Sequence, residues 1–261
     1  MSQTLLISGP PGCGKTSWIL NRVQTHRGPC GYLRLPGYPD EGLAQAPDGG
    51  IDLAWLQDQC PRLLDLADLD PALAPRPEHL LALIELPQFH PPAESGLAGM
   101  DRRLIPQLEA LQLSPDDHLH FGRDVALPSQ DTLDFSSLQA WDLNLARSVW
   151  DPASLSSFWF ELVNGAYGDV YRAKALINLP DRQAFFYNWM VSQEGSQFLP
   201  LQTLAPPDSR PERLSGLVVQ GTDLDPAAIE STLADCLLSD EVLELQQAPL
   251  RRIQPQSSRS A

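Results

Sequence analysis

The run Gly9-Pro10-Pro11-Gly12-Cys13-Gly14-Lys15-Thr16 has the residue types and spacing to hold a polyphosphate. It fits G-x-x-x-x-G-K-[ST], the Walker A phosphate loop. The glycines let backbone amides approach an anion that side chains would hold off. A helix starting behind the loop adds the positive end of its dipole, and Ser17 belongs to that first turn. Lys15 has the reach to meet the β- and γ-phosphates, and the Thr16 hydroxyl can ligate Mg²⁺. A second candidate is Glu85, which ends the apolar run His79-Leu80-Leu81-Ala82-Leu83-Ile84-Glu85. An acid at the carboxyl end of a buried parallel strand can hold a Mg²⁺ water or orient an attacking one. Chemistry of this kind is phosphoanhydride hydrolysis, with Lys15 and Glu85 as its catalytic residues.

These groups need a frame. Thr4 to Ser8 reads as one buried strand, and Ser17 to Val23 as the helix behind the loop, the strand–loop–helix context the motif requires. Cys30 to Leu35 is a second strand. Residues 36–50, rich in Pro, Gly and Asp, read as a surface loop, and in phosphate-loop NTPases this region commonly senses the γ-phosphate, so a switch is expected here. The leucines from Ile51 to Leu69 predict a helix interrupted at Pro61, and Met100 to Leu113 predicts another, bent at Pro106. Asp117 to Phe121 is a further strand on which His118 and His120 alternate onto one face. Two half-exposed histidines are expected there, with a metal site as the alternative. His90, just past Glu85, is a candidate for phosphate or metal handling.

Past a turn-rich boundary at Pro128 to Asp134, Leu138 to Trp150 reads as a linker helix, and Asp151-Pro152 opens a helix over Ala153 to Val163. Asp169 to Leu179 and Gln183 to Val191 pair as a hairpin, Leu214 to Gln220 adds a strand, and Ala227 to Leu238 a helix. Arg172 and Lys174 share one strand face, open to a nucleotide, a partner or solvent. The expected fold class is α/β, a phosphate-loop parallel sheet flanked by helices, with a smaller C-terminal α+β domain. The expected segments are a nucleotide-binding domain over 1–135, a linker helix over 136–150, the α+β domain over 151–245 and a disordered tail over 246–261.

Composition bounds the function. The 261 residues carry a net charge of −15, which argues against nucleic acid and anionic membrane surfaces as partners. The first apolar run reads as a strand rather than a leader, and none approaches the ~20 residues of a membrane span. A cytoplasmic protein is expected. The four cysteines, Cys13, Cys30, Cys60 and Cys236, are scattered without a C-x-x-C pair, so neither disulfides nor a zinc ligand pattern is expected.

The second half carries a resemblance. Gly168-Asp169-Val170-Tyr171-Arg172-Ala173-Lys174-Ala175 resembles the G-D-V-x-R-A-K-G element of the C-terminal domain of CobW-like GTPases. Leu214 to Leu238 is similar to that domain's closing strand, G-x-D-L-D turn and helix. The resemblance implies a GTP-binding protein of the HypB/UreG/CobW group, which couples nucleotide turnover to metal delivery. It further implies GTP (or ATP) and Mg²⁺ as cofactors, a transition metal such as Zn²⁺ as cargo, and a protein partner or metalloprotein client, with a homodimer as one arrangement. Hydrolysis would switch the 36–50 loop and the docking of the C-terminal domain. Carried over by position, Gly9, Gly12, Gly14, Lys15 and Thr16 match the phosphate loop, Asp52 the acid of the switch segment, and Glu85 the strand-end glutamate. The implied Mg²⁺ ligands are Thr16, Asp52 and Glu85. Two family motifs are missing. Cys60 alone stands where C-x-C-C belongs, and Phe121-Gly122-Arg123-Asp124 replaces N-K-x-D, keeping Asp124 as the acid that could read guanine. A protein with these departures admits a second reading, a nucleotide-gated assembly factor without metal transfer.

Overall fold

A computed structural model of the protein describes residues 2–36, 50–69, 77–127, 139–206 and 210–253. Two compact units divide the chain, Met1–Leu138 and Gln139–Ala261.

The first unit is a five-stranded parallel sheet in the order β3-β2-β4-β1-β5. Its elements are β1 (Gln3–Ser8), α1 (Lys15–Thr25), β2 (Cys30–Arg34), α2 (Gly50–Gln59), β3 (Leu64–Asp65), β4 (Leu81–Glu85), α3 (Ile105–Ala110) and β5 (Asp117–His120). Strand alternation sends β1, β2 and β4 side chains to two faces, and both are buried, which is why these strands read as continuous apolar runs. On one face Leu6, Leu33 and Ile84 pack with Leu104 and Leu108 beside α3. The other carries Leu5, Ile7, Leu81, Leu83 and Tyr32, while α1 and α2 lie side by side and bury Ile19 and Leu56.

Two helix expectations change here. The helix read over 51–69 stops at Gln59, before Pro61, and the leucines beyond it feed the short edge strand β3. The bent helix over 100–113 becomes 3-10 turns followed by α3, with Pro106 in its first turn, where a missing N–H costs nothing. Most of the 36–50 switch loop, and the boundary at Pro128 to Asp134, lie outside the described residues.

The second unit is a five-stranded antiparallel sheet, β6-β10-β7-β8-β9. It comprises β6 (Gln139–Asn144), α4 (Pro152–Val163), β7 (Asp169–Asn178), β8 (Ala184–Met190), β9 (Ser196–Pro200), β10 (Gly216–Thr222), α5 (Pro226–Asp235) and α6 (Asp240–Ile253). Asp151 and Asp225 cap α4 and α5, accepting from the Ser154 and Ala228 amides at 2.9 and 3.0 Å, with Pro152 and Pro226 in the first turns. Val170, Ala173, Ala175 and Ile177 of β7 meet Leu155, Phe158, Leu162, Ile229 and Leu233 in one core. Gly168, at φ 113, enters β7 where an added Cβ would sit 2.4 Å from the Asp223 carbonyl, so the G-D-V element needs its glycine. Lys174 is buried, its ammonium 5.6 Å from the Phe186 ring centre, and so is not part of a solvent-exposed basic face.

Two boundaries differ from expectation. The linker helix over 136–150 is not formed in its described part: residues 139–144 make β6, with Trp141 and Leu143 alternating onto the core rather than following a helical stripe, and 145–150 carry a turn. The tail over 246–261 is helical as far as Ile253, with Pro249 inside α6. No helix among the described residues is long and apolar enough to cross a membrane.

Candidate functional site

The loop between β1 and α1 is built against the sheet's carboxyl edge. Gly9 has φ 137, and a Cβ there would lie 2.6 Å from the Phe121 Cβ, so the chain can turn out of β1 only with glycine. Its amide donates to the Gln88 carbonyl at 2.9 Å, which ties the loop to the segment after Glu85. The Gln88 side chain is itself clamped, donating to the Gly99 carbonyl and accepting from the Asp101 amide, each at 2.9 Å. Pro10, Pro11 and Cys13 are buried, while Gly14 and Ser17 face solvent. No side chain caps the N-terminus of α1 and no acid lies in its first turn. That end of the helix keeps its positive dipole for an anion.

Lys15 folds back over the loop. Its ammonium donates to the Gly9 and Pro10 carbonyls at 2.8 and 3.0 Å and lies 3.6 Å from Glu85 Oε1. Both side chains are nearly enclosed, at 7% and 10% exposure. Thr16 Oγ1 donates to Asp52 Oδ1 at 3.0 Å, bringing together two residues that the sequence separates widely. Lys15, Thr16, Asp52 and Glu85 thus form one cluster. The hard oxygens of Thr16 and Asp52 are the donor chemistry that Mg²⁺ prefers.

Sequence reasoning missed two members. The Tyr32 hydroxyl donates to Glu85 Oε2 at 2.9 Å, and Arg34 Nη1 lies 3.7 Å from Asp52 Oδ2. Burial pushes the Tyr32 phenol well above its usual range, with the Glu85 and Asp52 carboxylates adding to the shift. The C-G-Y-L-R-L alternation put Tyr32 and Arg34 on one face but could not say what that face met.

Other candidates stand elsewhere. Asp124 closes the turn after β5: its Oδ2 accepts from the His120 amide at 2.8 Å and its Oδ1 from Arg123 Nε at 2.8 Å. These bonds, Arg123 first, hold its carboxyl down to about 2. Base reading by Asp124 would have to compete with Arg123 for the same oxygens. His90 is exposed. His118 and His120 are buried rather than half-exposed, at 2% and 0%, because β5 is covered on the face they share. His118 Nε2 pairs with the buried Ser8 Oγ at 2.6 Å, at the foot of the loop. Neither ring nitrogen of His120 has a hydrogen-bond partner. Among the described residues no three His, Cys, Asp or Glu side chains gather as a metal-binding group.

Burial, then the neighbouring His118, Arg123 and Lys15, pull the His120 imidazole down to about 4. An imidazole so depressed binds fewer protons folded than unfolded, so its contribution is complete above pH ~6.5 and lost as pH falls toward 4. Acidification from pH 7 to 4.5 is expected to cost roughly 2–3 kcal/mol through this residue. Urea unfolding followed by circular dichroism should show that slope shrinking in His120→Leu. An unchanged slope would assign the acid sensitivity to other groups.

Residues 139–237 match the family model described as the cobalamin synthesis protein cobW C-terminal domain. No curated protein matches the chain. Among solved structures, the Zn(II)-bound YjiA GTPase from E. coli aligns with 90% of this chain and 98% of its own, at 9% identity and a TM-score of 0.32. A Zn(II)-bound triple mutant of YjiA GTPase aligns with 90% of this chain and 99% of its own, at 9% identity and a TM-score of 0.31.

Proposed function

We infer that this chain, CobW-like in its second unit and bearing a phosphate loop in its first, binds a nucleoside triphosphate with Mg²⁺ and hydrolyses its terminal phosphoanhydride. The observation that carries the reading is the convergence of Lys15, Thr16, Asp52 and Glu85 at the N-terminus of α1. Loop amides and Lys15 hold the phosphates, and Thr16 and Asp52 supply oxygens for Mg²⁺, which when bound offsets phosphate charge. Glu85, held by Tyr32, orients the attacking water and accepts its proton. Positioning and charge, rather than covalent chemistry, are what this site offers.

GTP is the nucleotide we propose, on the CobW match, with ATP the alternative because N-K-x-D is missing. The wider role is a cytoplasmic metal-delivery GTPase acting on a metalloprotein client. A second reading, a nucleotide-gated assembly factor acting on a protein partner, is favoured by the missing C-x-C-C run. Titration with Zn²⁺ or Co²⁺ separates the two. Sub-micromolar binding supports delivery, and no binding at ~100 μM supports the assembly factor.

Calorimetry with GTP and ATP, each with Mg²⁺, tests the shared core of both readings. Lys15→Ala is expected to weaken triphosphate binding by roughly 10- to 100-fold, the worth of charge-assisted bonds to phosphate. No binding of either nucleotide by the unmodified protein would overturn the assignment.

A further inference from the structure

The carboxyl ends of three adjacent strands form one row. β1 runs into the phosphate loop, β4 ends in Glu85, and β2 ends in Arg34, with Ile7 and Arg34 both register partners of Glu85. Ligands of open parallel sheets bind outside this edge. Two strand spacings, roughly 10 Å, separate the backbone of Arg34 from that of β1, a gap most of which an extended arginine covers. The side chain already leans across it: Nη1 lies 3.7 Å from Asp52 Oδ2, and Asp52 Oδ1 accepts from Thr16 of the loop at 3.0 Å.

That 3.7 Å is longer than a hydrogen bond, so the pair is held by charge more than by directed bonds. The two ends of the pair differ in enclosure, with Asp52 at 7% exposure and Arg34 at 35%. The guanidinium therefore lies on the solvent side of the pair and its carboxylate partner on the enclosed side. Charges within the cluster balance, Lys15 and Arg34 against Asp52 and Glu85. A triphosphate adds negative charge that this balance does not meet, and Arg34 is the more exposed of the cluster's two cations, at 35% against 7% for Lys15.

We propose that Arg34 is a catalytic residue that contacts the terminal phosphate and distinguishes a bound triphosphate from a diphosphate. The proposal rests on the phosphate-loop reading above. Arginine suits the task because its planar fork meets two phosphate oxygens at once, which an ammonium cannot do. A purely structural Arg34, pinning α2 to β2 through Asp52, would instead affect both nucleotides alike.

Binding separates these cases without reference to turnover. The full chain, Arg34→Ala and Arg34→Lys would each be titrated with a non-hydrolysable triphosphate analogue and with the diphosphate, in Mg²⁺. Arg34→Ala is expected to lose roughly 10- to 100-fold in triphosphate affinity and to keep the diphosphate within ~3-fold, with Arg34→Lys between. Parallel loss of both ligands, or loss of neither, overturns the role of Arg34 and leaves the phosphate-loop reading standing. Failure of the unmodified chain to bind either ligand overturns both.

Discussion

Glu85→Gln should bind the triphosphate and hydrolyse it roughly 10²- to 10³-fold more slowly, the range of a lost general base. The substitution is isosteric, and the amide oxygen can still accept from the Tyr32 hydroxyl that now donates to Glu85 Oε2 at 2.9 Å. What disappears is the charge. Oε1 lies 3.6 Å from the Lys15 ammonium at 10% side-chain exposure, where low local dielectric makes a carboxylate count for more than it would at the surface. A neutral amide cannot take the proton of an attacking water. Nucleotide binding, which rests on loop amides and Lys15, should change little. Single-turnover release of inorganic phosphate measures the step, and calorimetry run beside it controls for binding. Hydrolysis at the unmodified rate would remove Glu85 from the chemistry and leave it a structural partner of Lys15.

The second large effect concerns the other unit. Trp150→Ala is expected to destabilise it by about 4 kcal/mol, roughly a thousandfold in its unfolding equilibrium. Trp150 is wholly buried, its ring 5.6 Å from that of Phe158, and its amide donates to the Asn178 carbonyl at 2.9 Å. The residue thereby joins the segment before α4 to the end of β7. Truncation to alanine removes most of the ring's dispersion contacts in a core too interlocked to collapse around the void. Trp150→Phe should cost much less, because Nε1 of the indole has no hydrogen-bond partner to lose. Urea denaturation of the three proteins orders them. A loss below ~1 kcal/mol for the alanine would mean that the core closes over the gap.

How much of this was legible beforehand depended on range. The phosphate loop, β1 and α1 are contiguous, so their motif carries its own context, and the β7–β8 hairpin is nearly as local. The Asp-Pro pairs marked the starts of α4 and α5 because capping is decided within one turn. Asp52 came from family resemblance, and the structure supplies what the resemblance could not, the bond from Thr16. Tyr32 and Arg34 escaped because their meaning comes from the pairing of β2 with β4, which no short window contains. β6 was misread because Trp141 and Leu145 also stand at helical spacing, so a strand and a helix competed for the same residues. The histidines of β5 looked half-exposed because alternation tells which face a residue takes, not whether that face is covered.

Sheet order also sets the pace at which each unit can assemble. In the first, β1 has no partner until much later chain exists, since Leu6 pairs with Ile84 and Ser8 with His120. In the second, Leu176 of β7 meets Phe186 of β8 across one tight turn, and β9 follows directly. Contact order therefore differs between them: hairpin closure is fast, whereas parallel pairing must pay its loop entropy first. During synthesis β1 emerges before β4 and waits for it, apolar and unpaired. Until β4 arrives that strand is an unpaired apolar segment of the kind through which folding intermediates aggregate, and β6 of the second unit waits in the same way for β10.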